Sequence, residues 1–305
     1  MDTLPSVRFS GLTRVLMWWL GVGFAWLLLG IFVLPTSKLY QQGLILFFWL
    51  PGLVALITTP VVRRAWDPLL LLPLLVFALW SGGSVVWGGE LDKLKEMLYV
   101  GLAVNAVVAL AALKPRLPWQ LLLGCALCGG GLAWWALVDF YFLQGNVWAK
   151  RVLGNGQLNQ TILASQVMGV MGLSLLFMRS WLPRGVPSIL WLLSCLGYLA
   201  FLVMSQSKGP LLALLVCLAI CGLWTAQRWA WALGVASLVI AGLGVWLLPE
   251  QLLRGGFSYR PQLLEQAWEL WLHKPWAGLG VGLAYLLPIP ERGKSVEHAH
   301  NLYVH

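Results

Sequence analysis

The chain has 305 residues, of which 60% are hydrophobic and 10% charged, and its formal net charge is +9. One water-soluble core cannot hide that much apolar surface, so this composition excludes an ordinary soluble protein and indicates a polytopic membrane protein. The positive charge does not indicate nucleic-acid binding, because nearly half of the 20 basic residues flank apolar segments, where they set membrane orientation.

Nine apolar segments are long enough, or nearly so, to span a bilayer. A spanning helix needs about 20 apolar residues, because a rise of about 1.5 Å per residue must cover about 30 Å of hydrocarbon. The segments are 15–34, 43–62, 68–86, 97–113, 119–143, 161–178, 187–204, 210–225 and 229–248. We therefore expect an all-α membrane bundle over residues 1–248, followed by a long polar loop over residues 249–305.

Basic residues in alternate short loops predict the orientation of the bundle. One set of loops holds nine Lys and Arg residues, and the other holds six that are partly balanced by acids. The richer set is Arg8, Arg14, Arg63, Arg64, Lys114, Arg116, Arg179, Arg184 and Arg228. It predicts a cytoplasmic N-terminus and, after nine crossings, a periplasmic loop at residues 249–305.

Two polar segments on the predicted outer side carry cations. The first is Ser205-Gln206-Ser207-Lys208-Gly209, ahead of a helix expected to begin near Pro210, where Lys208 could hold a phosphate beside exposed N–H groups. An ordinary turn with a snorkelling lysine is the alternative. The second is Lys150-Arg151 with the Gly- and Asn-rich residues 154–160, whose amides suit sugar hydroxyls or phosphate, although a plain flexible loop is equally compatible.

The long loop contains an amphipathic helix at residues 261–272, preceded by Arg254 and Arg260. A guanidinium fork at a helix N-terminus suits phosphate, which favours Arg260 as an anion ligand. His273 falls on the polar face of this helix and has a structural role in this interpretation.

All four histidines lie late in the chain, and His298 and His300 form a short HxH pattern. Histidine suits proton transfer near neutral pH, so a general base is the favoured interpretation. A zinc site would need a third well-spaced ligand, and none accompanies the pair, so we expect no metal.

The succession of many apolar helices, the SxSKG turn, the long outer loop with Arg260 and a GxGxG segment, and the final His298-Ala299-His300-Asn301-Leu302-Tyr303 resembles the O-antigen ligase and polymerase superfamily. The resemblance covers the chain from about Arg151 onward, and residues 156–163 are more similar to the ligase loop than to the polymerase loop. Lys208 departs from the arginine that the superfamily carries in this turn. The chain also stops before glycines and helices that the resemblance leads us to expect, so we expect further C-terminal helices.

The resemblance implies an enzyme of the bacterial inner membrane that transfers a glycan from undecaprenyl pyrophosphate to a sugar hydroxyl of the lipid A-core, by an inverting reaction without metal or cofactor. His300 would be the base, with His298 as the second candidate. Arg260 and Lys208, with Arg151 or Arg254, would bind the pyrophosphate, and Asn301 would orient the substrate.

Four other functions stay open at this level, and one of them is a structural or scaffolding membrane protein in which the histidines are incidental. An O-antigen polymerase and a protein O-oligosaccharyltransferase would share the lipid donor and differ in the acceptor. A transporter would need ionisable residues near mid-membrane, and Asp139, the one acid in an apolar span, is expected near the outer end of the fifth helix.

Overall fold

The computed structural model describes residues 11–89, 91–182, 185–224, 260–273, 287–289 and 294–296, with short stretches between 231 and 243. Its α-helices are α1 (Gly11–Val33), α2 (Ser37–Leu44), α3 (Leu50–Thr58), α4 (Pro60–Arg64), α5 (Pro68–Gly88), α6 (Leu94–Leu113), α7 (Leu117–Val138), α8 (Thr161–Phe177), α9 (Val186–Ser205), α10 (Lys208–Trp224) and α11 (Arg260–His273). A π-helical turn at Ile45–Trp49 joins α2 to α3, and another at Asp139–Leu143 extends α7. Single 3₁₀ turns lie at Leu91–Lys93 and Met178–Trp181.

Seven helical segments within the described residues are long and apolar enough to cross a membrane. They correspond to the first seven predicted spans, and α10 matches the eighth as a shorter apolar helix. The ninth prediction, residues 229–248, falls largely outside the described residues. The protein is therefore a multi-pass helical membrane protein, as its composition predicts.

The limits of the spans follow local chemistry that the sequence displays. At the start of α5, the Asp67 side chain accepts a hydrogen bond from the backbone N–H of Leu69 at 2.9 Å, and Pro68 occupies the first helical position. Both features stabilise a helix N-terminus, because the first backbone N–H groups lack partners inside the helix. Thr36 caps α2 in the same way through the N–H of Leu39.

The described chain divides into two compact units. One comprises Met1–Ala65 with Ala103–Gly242, and the other comprises Trp66–Leu102 with Leu243–His305. The second contains α5, α11 and a short antiparallel pair of strands, β1 (Leu287–Ile289) and β2 (Lys294–Val296). Sequence reasoning predicted no strands in that loop, because three-residue strands with prolines beside them carry no detectable period-two pattern.

Helices α7 and α9 share the most extensive contact among the described helices of the first unit. A Cβ added at Gly130 would lie 2.5 Å from the Cα of Ser194, so the helices approach at the level of their backbones. Above and below this point, the Tyr198 hydroxyl donates to the carbonyl of Ala126 at 2.7 Å, and Trp134 Nε1 donates to the carbonyl of Leu193 at 2.9 Å. Small residues and interhelical hydrogen bonds are what bring helices together in lipid, where apolar surfaces gain little from mutual contact.

Contacts at the helix ends assign the loops of the first unit to two opposite ends of the bundle. At one end, the N–H of Gln157 donates to the carbonyl of Ile31 in α1 at 3.0 Å, and the N–H of Val152 donates to the carbonyl of Met204 in α9 at 3.2 Å. At the other, Trp119 of α7 contacts Trp181, with ring centroids 6.4 Å apart. Successive helices that cross a membrane in alternating directions must place their loops in this way. Arg151 therefore lies at the end of the bundle opposite to Arg116 and Arg179.

Candidate functional site

The connection between α7 and α8, residues 144–160, is folded onto the end of α9. Besides the bond from Val152 to Met204, the Gln206 side chain donates to the carbonyl of Ala149 at 3.4 Å. Val152 and Leu158 are completely buried in the core formed by α1, α7, α8 and α9. Residues 144–160, called the α7–α8 loop below, are therefore anchored to the core at Val152 and Leu158.

Arg151 joins this loop to the turn between α9 and α10. Its Nε donates to the carbonyl of Ser205 at 2.9 Å, and its Nη2 donates to the hydroxyl of Ser207 at 3.0 Å. Both serines are buried, whereas Arg151 itself is exposed. The guanidinium therefore holds the turn with one side of its planar fork and presents the rest to the outside. We call this two-bond contact the Arg151 clamp.

The turn that Arg151 holds has a constrained backbone. Gln206 lies in the left-handed region at φ 52°, and its N–H caps the carbonyl of Val203 at the end of α9. Ser205 adds a hydrogen bond from its hydroxyl to the carbonyl of Leu202. Left-handed backbone is uncommon outside glycine and marks positions that the surrounding structure stabilises.

Helix α10 begins at Lys208, two residues before the Pro210 near which the sequence placed its start. Proline needs no N–H partner in the first turn of a helix, so it is compatible with a helix that begins two residues earlier. Lys208 thus occupies the first turn of α10, directly after Ser207 of the Arg151 clamp. An exposed cation at this place adds its charge to the positive end of the helix dipole, which favours a bound anion.

The α7–α8 loop also contacts the end of α1. Gly156 has φ +64°, and a Cβ placed on it would lie 2.7 Å from the backbone of Phe32. A residue with a side chain would therefore meet both a strained backbone and a steric clash here. Beside this contact is a cavity of about 180 Å³, lined by Phe32, Val33, Leu132, Trp135, Asn155, Gly156 and Met168.

The remaining predicted site residues belong to the second unit or to undescribed segments. Arg260 is the first residue of α11, one position earlier than the predicted helix start. Arg254, His298, His300 and Asn301 lie outside the described residues, and their predicted roles stay predictions. No cluster of three or more His, Cys, Asp or Glu side chains occurs within the part of the chain that the structure describes, so the expectation about metal is not tested at the histidines.

The roles of Ser205 and Ser207 could not be predicted from the sequence. The polar SxS pattern was visible, but its partner lies 54 to 56 residues earlier in the chain. No local pattern pairs an arginine in one loop with serines in another. The weak signal that could have found the pair is the placement of both segments at the same predicted end of the bundle.

Comparison with known proteins adds to this geometry. A family model described as O-antigen ligase matches residues 193–305, which include Lys208, Arg260 and both histidines of the HxH pattern. A curated protein named O-antigen ligase, from Pseudomonas aeruginosa strain PAO1, is 28% identical over 279 residues. That alignment covers 88% of this chain and 67% of the relative.

The chain is similar to the O-antigen ligase family over residues 193–305 and to this curated relative over most of its length. Both descriptions agree with the resemblance drawn from the motifs. The curated relative extends the similarity across both units and so includes the segment that carries Arg151. No solved structure matches the chain.

Proposed function

We propose that the protein transfers a glycan from undecaprenyl pyrophosphate to a sugar hydroxyl of the lipid A-core at the outer face of the bacterial inner membrane. The observation that carries the proposal is the Arg151 clamp, which fixes a cation-bearing turn at one end of the bundle. Similarity to the O-antigen ligase family supports the reaction class, and the clamp provides a surface suited to a diphosphate.

The acceptor hydroxyl attacks the anomeric carbon of the first sugar of the donor. A C–O bond to the acceptor forms while the bond from that carbon to the phosphate oxygen breaks, and the configuration inverts. His300 accepts the hydroxyl proton, and undecaprenyl pyrophosphate departs with the bonding electrons. General-base catalysis of this kind contributes about 10² to 10⁴ in rate.

The leaving group gains negative charge in the transition state, so fixed positive groups accelerate its departure. Arg151 has five N–H donors, and the two bonds to the turn use two of them. The other donors, together with the exposed ammonium of Lys208 in the first turn of α10, are the proposed diphosphate ligands in this unit. Arg260 and Arg254 stay predicted diphosphate ligands on the resemblance alone. His298 stays the second candidate for the base, and Asn301 the residue predicted to orient the substrate.

The bundle also suits substrates that are themselves lipids. Both substrates would keep their lipid tails in the bilayer while their sugars meet at its surface, which lowers the entropic cost of bringing them together. The apolar cavity beside Gly156 lies at the same end as the Arg151 clamp, within the same unit.

Replacement of His300 by Ala tests the proposal in cells that lack their own ligase. We expect the loss of glycan-capped lipopolysaccharide on gels, accumulation of the lipid-linked polymer, and unchanged protein levels. His273→Ala is the matched control, because this exposed histidine ends α11 and has no proposed role in the reaction. Normal capping by the His300→Ala variant would refute the mechanism.

The same strains separate the related functions by their products. Loss of polymer with single-repeat capping would identify a polymerase, and loss of glycosylated protein would identify a protein O-oligosaccharyltransferase. Either outcome would overturn the proposed acceptor while leaving the lipid-linked donor in place.

A further inference from the structure

An aromatic cluster lies where α7 ends and the α7–α8 loop begins. The Trp148 ring stacks on Tyr141 with centroids 4.6 Å apart and planes inclined by 13°, and Phe142 meets Trp148 nearly at right angles at 5.5 Å. Tyr141 is buried, and its hydroxyl donates to the carbonyl of Lys150 at 2.7 Å. Trp148 stays 60% exposed although Tyr141 covers one of its faces. The loop therefore holds an open indole ring in a fixed orientation.

A chain of polar side chains runs beside this cluster. Gln144 Nε2 donates to the carboxylate of Asp139 at 2.8 Å, Asn146 Nδ2 donates to Gln144 Oε1 at 3.3 Å, and Lys150 Nζ donates to Asn146 Oδ1 at 2.8 Å. These contacts are exposed, so each group keeps donors or acceptors for another molecule. A carboxylate, two carboxamides and an ammonium next to an open aromatic ring are the groups that recognise sugar hydroxyls and the C–H face of a sugar ring.

The position of the cluster along α7 places it beyond the hydrocarbon. The continuous helical segment Leu117–Leu143 has 27 residues. At a rise of about 1.5 Å per residue it is about 40 Å long, whereas the hydrocarbon layer is about 30 Å thick. The polar side chains of Asp139, Gln144 and Asn146 agree with a position outside the hydrocarbon layer, because carboxylates and amides are costly to place in lipid.

We propose that Trp148 and this polar chain form a subsite for a sugar ring of the lipid-linked donor glycan. The inference rests on the proposed function and adds to it the residues that hold the glycan. Trp148 lies three residues before Arg151, and the bond from Tyr141 to Lys150 fixes the aromatic cluster to the residue next to the clamp. A glycan whose pyrophosphate is bound at Arg151 has its nearest sugars within reach of Trp148.

The alternative is a purely structural role, in which Trp148 only anchors the bundle at the lipid headgroups, as tryptophans commonly do. Two substitutions separate the roles. Trp148→Phe keeps an aromatic face, and Trp148→Leu keeps an apolar side chain without one. Trp119→Leu is the matched control, because Trp119 is 53% exposed, contacts one other aromatic ring and lies at the opposite end of the bundle.

The first measurement is saturation-transfer NMR on the intact protein in lipid nanodiscs, with oligosaccharide prepared from the strain's own O-antigen as the probe. We expect wild type, Trp148→Phe and Trp119→Leu to transfer magnetisation to the sugar protons. Trp148→Leu should weaken binding about 3- to 10-fold, as the loss of one aromatic contact predicts. The subsite would be overturned if Trp148→Leu gave an undiminished signal or if Trp119→Leu lost the signal equally. It would also be overturned if lipid A-core oligosaccharide, used as a second probe, gave a signal and the O-antigen oligosaccharide gave none.

The second measurement is the steady-state transfer rate with purified lipid-linked donor. Trp148→Leu should raise KM for the donor about 3- to 10-fold and leave kcat within a factor of about 2, with recovery in Trp148→Phe. An unchanged KM would overturn the subsite. The NMR signal needs no catalysis, so His300→Ala should keep it. If His300→Ala still transferred glycan while Trp148→Leu lost the signal, the subsite would stand and the proposed mechanism would fall.

Discussion

Arg151 illustrates how one side chain can have both a structural and a chemical role. Its hydrogen bonds reach a buried carbonyl and a buried hydroxyl in a turn that is otherwise held by a left-handed glutamine. Removing the guanidinium would leave both acceptors without this donor, and a hydrogen bond to a charged group contributes about 1.5 to 3 kcal/mol. The clamp is therefore expected to matter for stability and for the placement of Lys208.

Arg151→Ala should lower the free energy of unfolding by about 1 to 3 kcal/mol and reduce glycan transfer about 100-fold, because it removes the clamp and a proposed phosphate ligand together. Arg151→Lys should recover stability only in part, since an ammonium lacks the planar fork that reaches both acceptors. Thermal unfolding in detergent and a transfer assay on the same preparations measure the two effects.

Ser207→Ala separates these contributions, because it removes one bond and keeps the charge of Arg151. We expect a smaller loss of stability and of transfer than in Arg151→Ala, and a double variant that is less destabilised than the sum of the two single variants. Additive effects would show that the two side chains do not act together, which would contradict the clamp.

Gly156 and Gly145 offer a test of the contact between the α7–α8 loop and α1. Both have positive φ, at +64° and +66°, but only Gly156 faces backbone atoms that a Cβ would meet. Alanine at Gly145 should cost about 1 to 2 kcal/mol from the backbone alone. Alanine at Gly156 should cost about 1 to 3 kcal/mol more, because the loop must move away from Phe32. Equal melting temperatures for the two variants would contradict the packed loop.

At the scale of elements, the contact of α7 with α9 sets the position of the turn that carries Lys208. Gly130→Ala would force the backbone of Ser194 to move, whereas Gly131→Ala meets nothing within 4 Å. We expect Gly130→Ala to destabilise the protein by about 1 to 3 kcal/mol and Gly131→Ala to be neutral or slightly stabilising. Thermal unfolding in detergent distinguishes them, and equal stability would show that this contact is not as close as described.

Eight of the predicted spans are present as helical segments between α1 and α10, and they were predictable because each depends on local signals. The length and hydropathy of each apolar segment predicted that a helix is present, and capping residues such as Asp67 with Pro68 indicated where it begins. The start of α10 was predicted two residues late, because proline was taken as the first helical residue. Helix pairing was not predictable, since glycines at Gly130 and Gly131 look alike in sequence and differ only in what lies opposite them.

The candidate site was predictable in its residue types and not in its connections. Lys208 and Arg151 stood out as cations in polar segments at the predicted outer side, and the structure places both segments in one contact. The serine partners and the Trp148 cluster were missed, because both depend on pairs that no helical or strand period relates. Sequence spacing reports the chemistry of a segment, while folding decides which segments meet.

At the scale of the whole molecule, the alternation of loop ends gives a direct test of orientation. Asn159 lies in the α7–α8 loop and Arg116 lies at the start of α7, and both are exposed. In a variant without native cysteines, Asn159→Cys should react with a membrane-impermeant maleimide on cells with a permeabilised outer membrane. Arg116→Cys should react only after the inner membrane is opened. The reverse pattern would place the Arg151 clamp in the cytoplasm and exclude transfer at the outer face.

In the proposed reaction, the imidazole of His300 acts as the base for transfer to an acceptor, while the fixed cations of the Arg151 clamp hold the departing diphosphate. The most direct test is the single-turnover rate of glycan transfer in nanodiscs with saturating lipid-linked donor and acceptor. We expect this rate to fall by a factor of about 10² to 10⁴ for His300→Ala, with donor binding unchanged. A rate within a few-fold of wild type would contradict the proposed reaction.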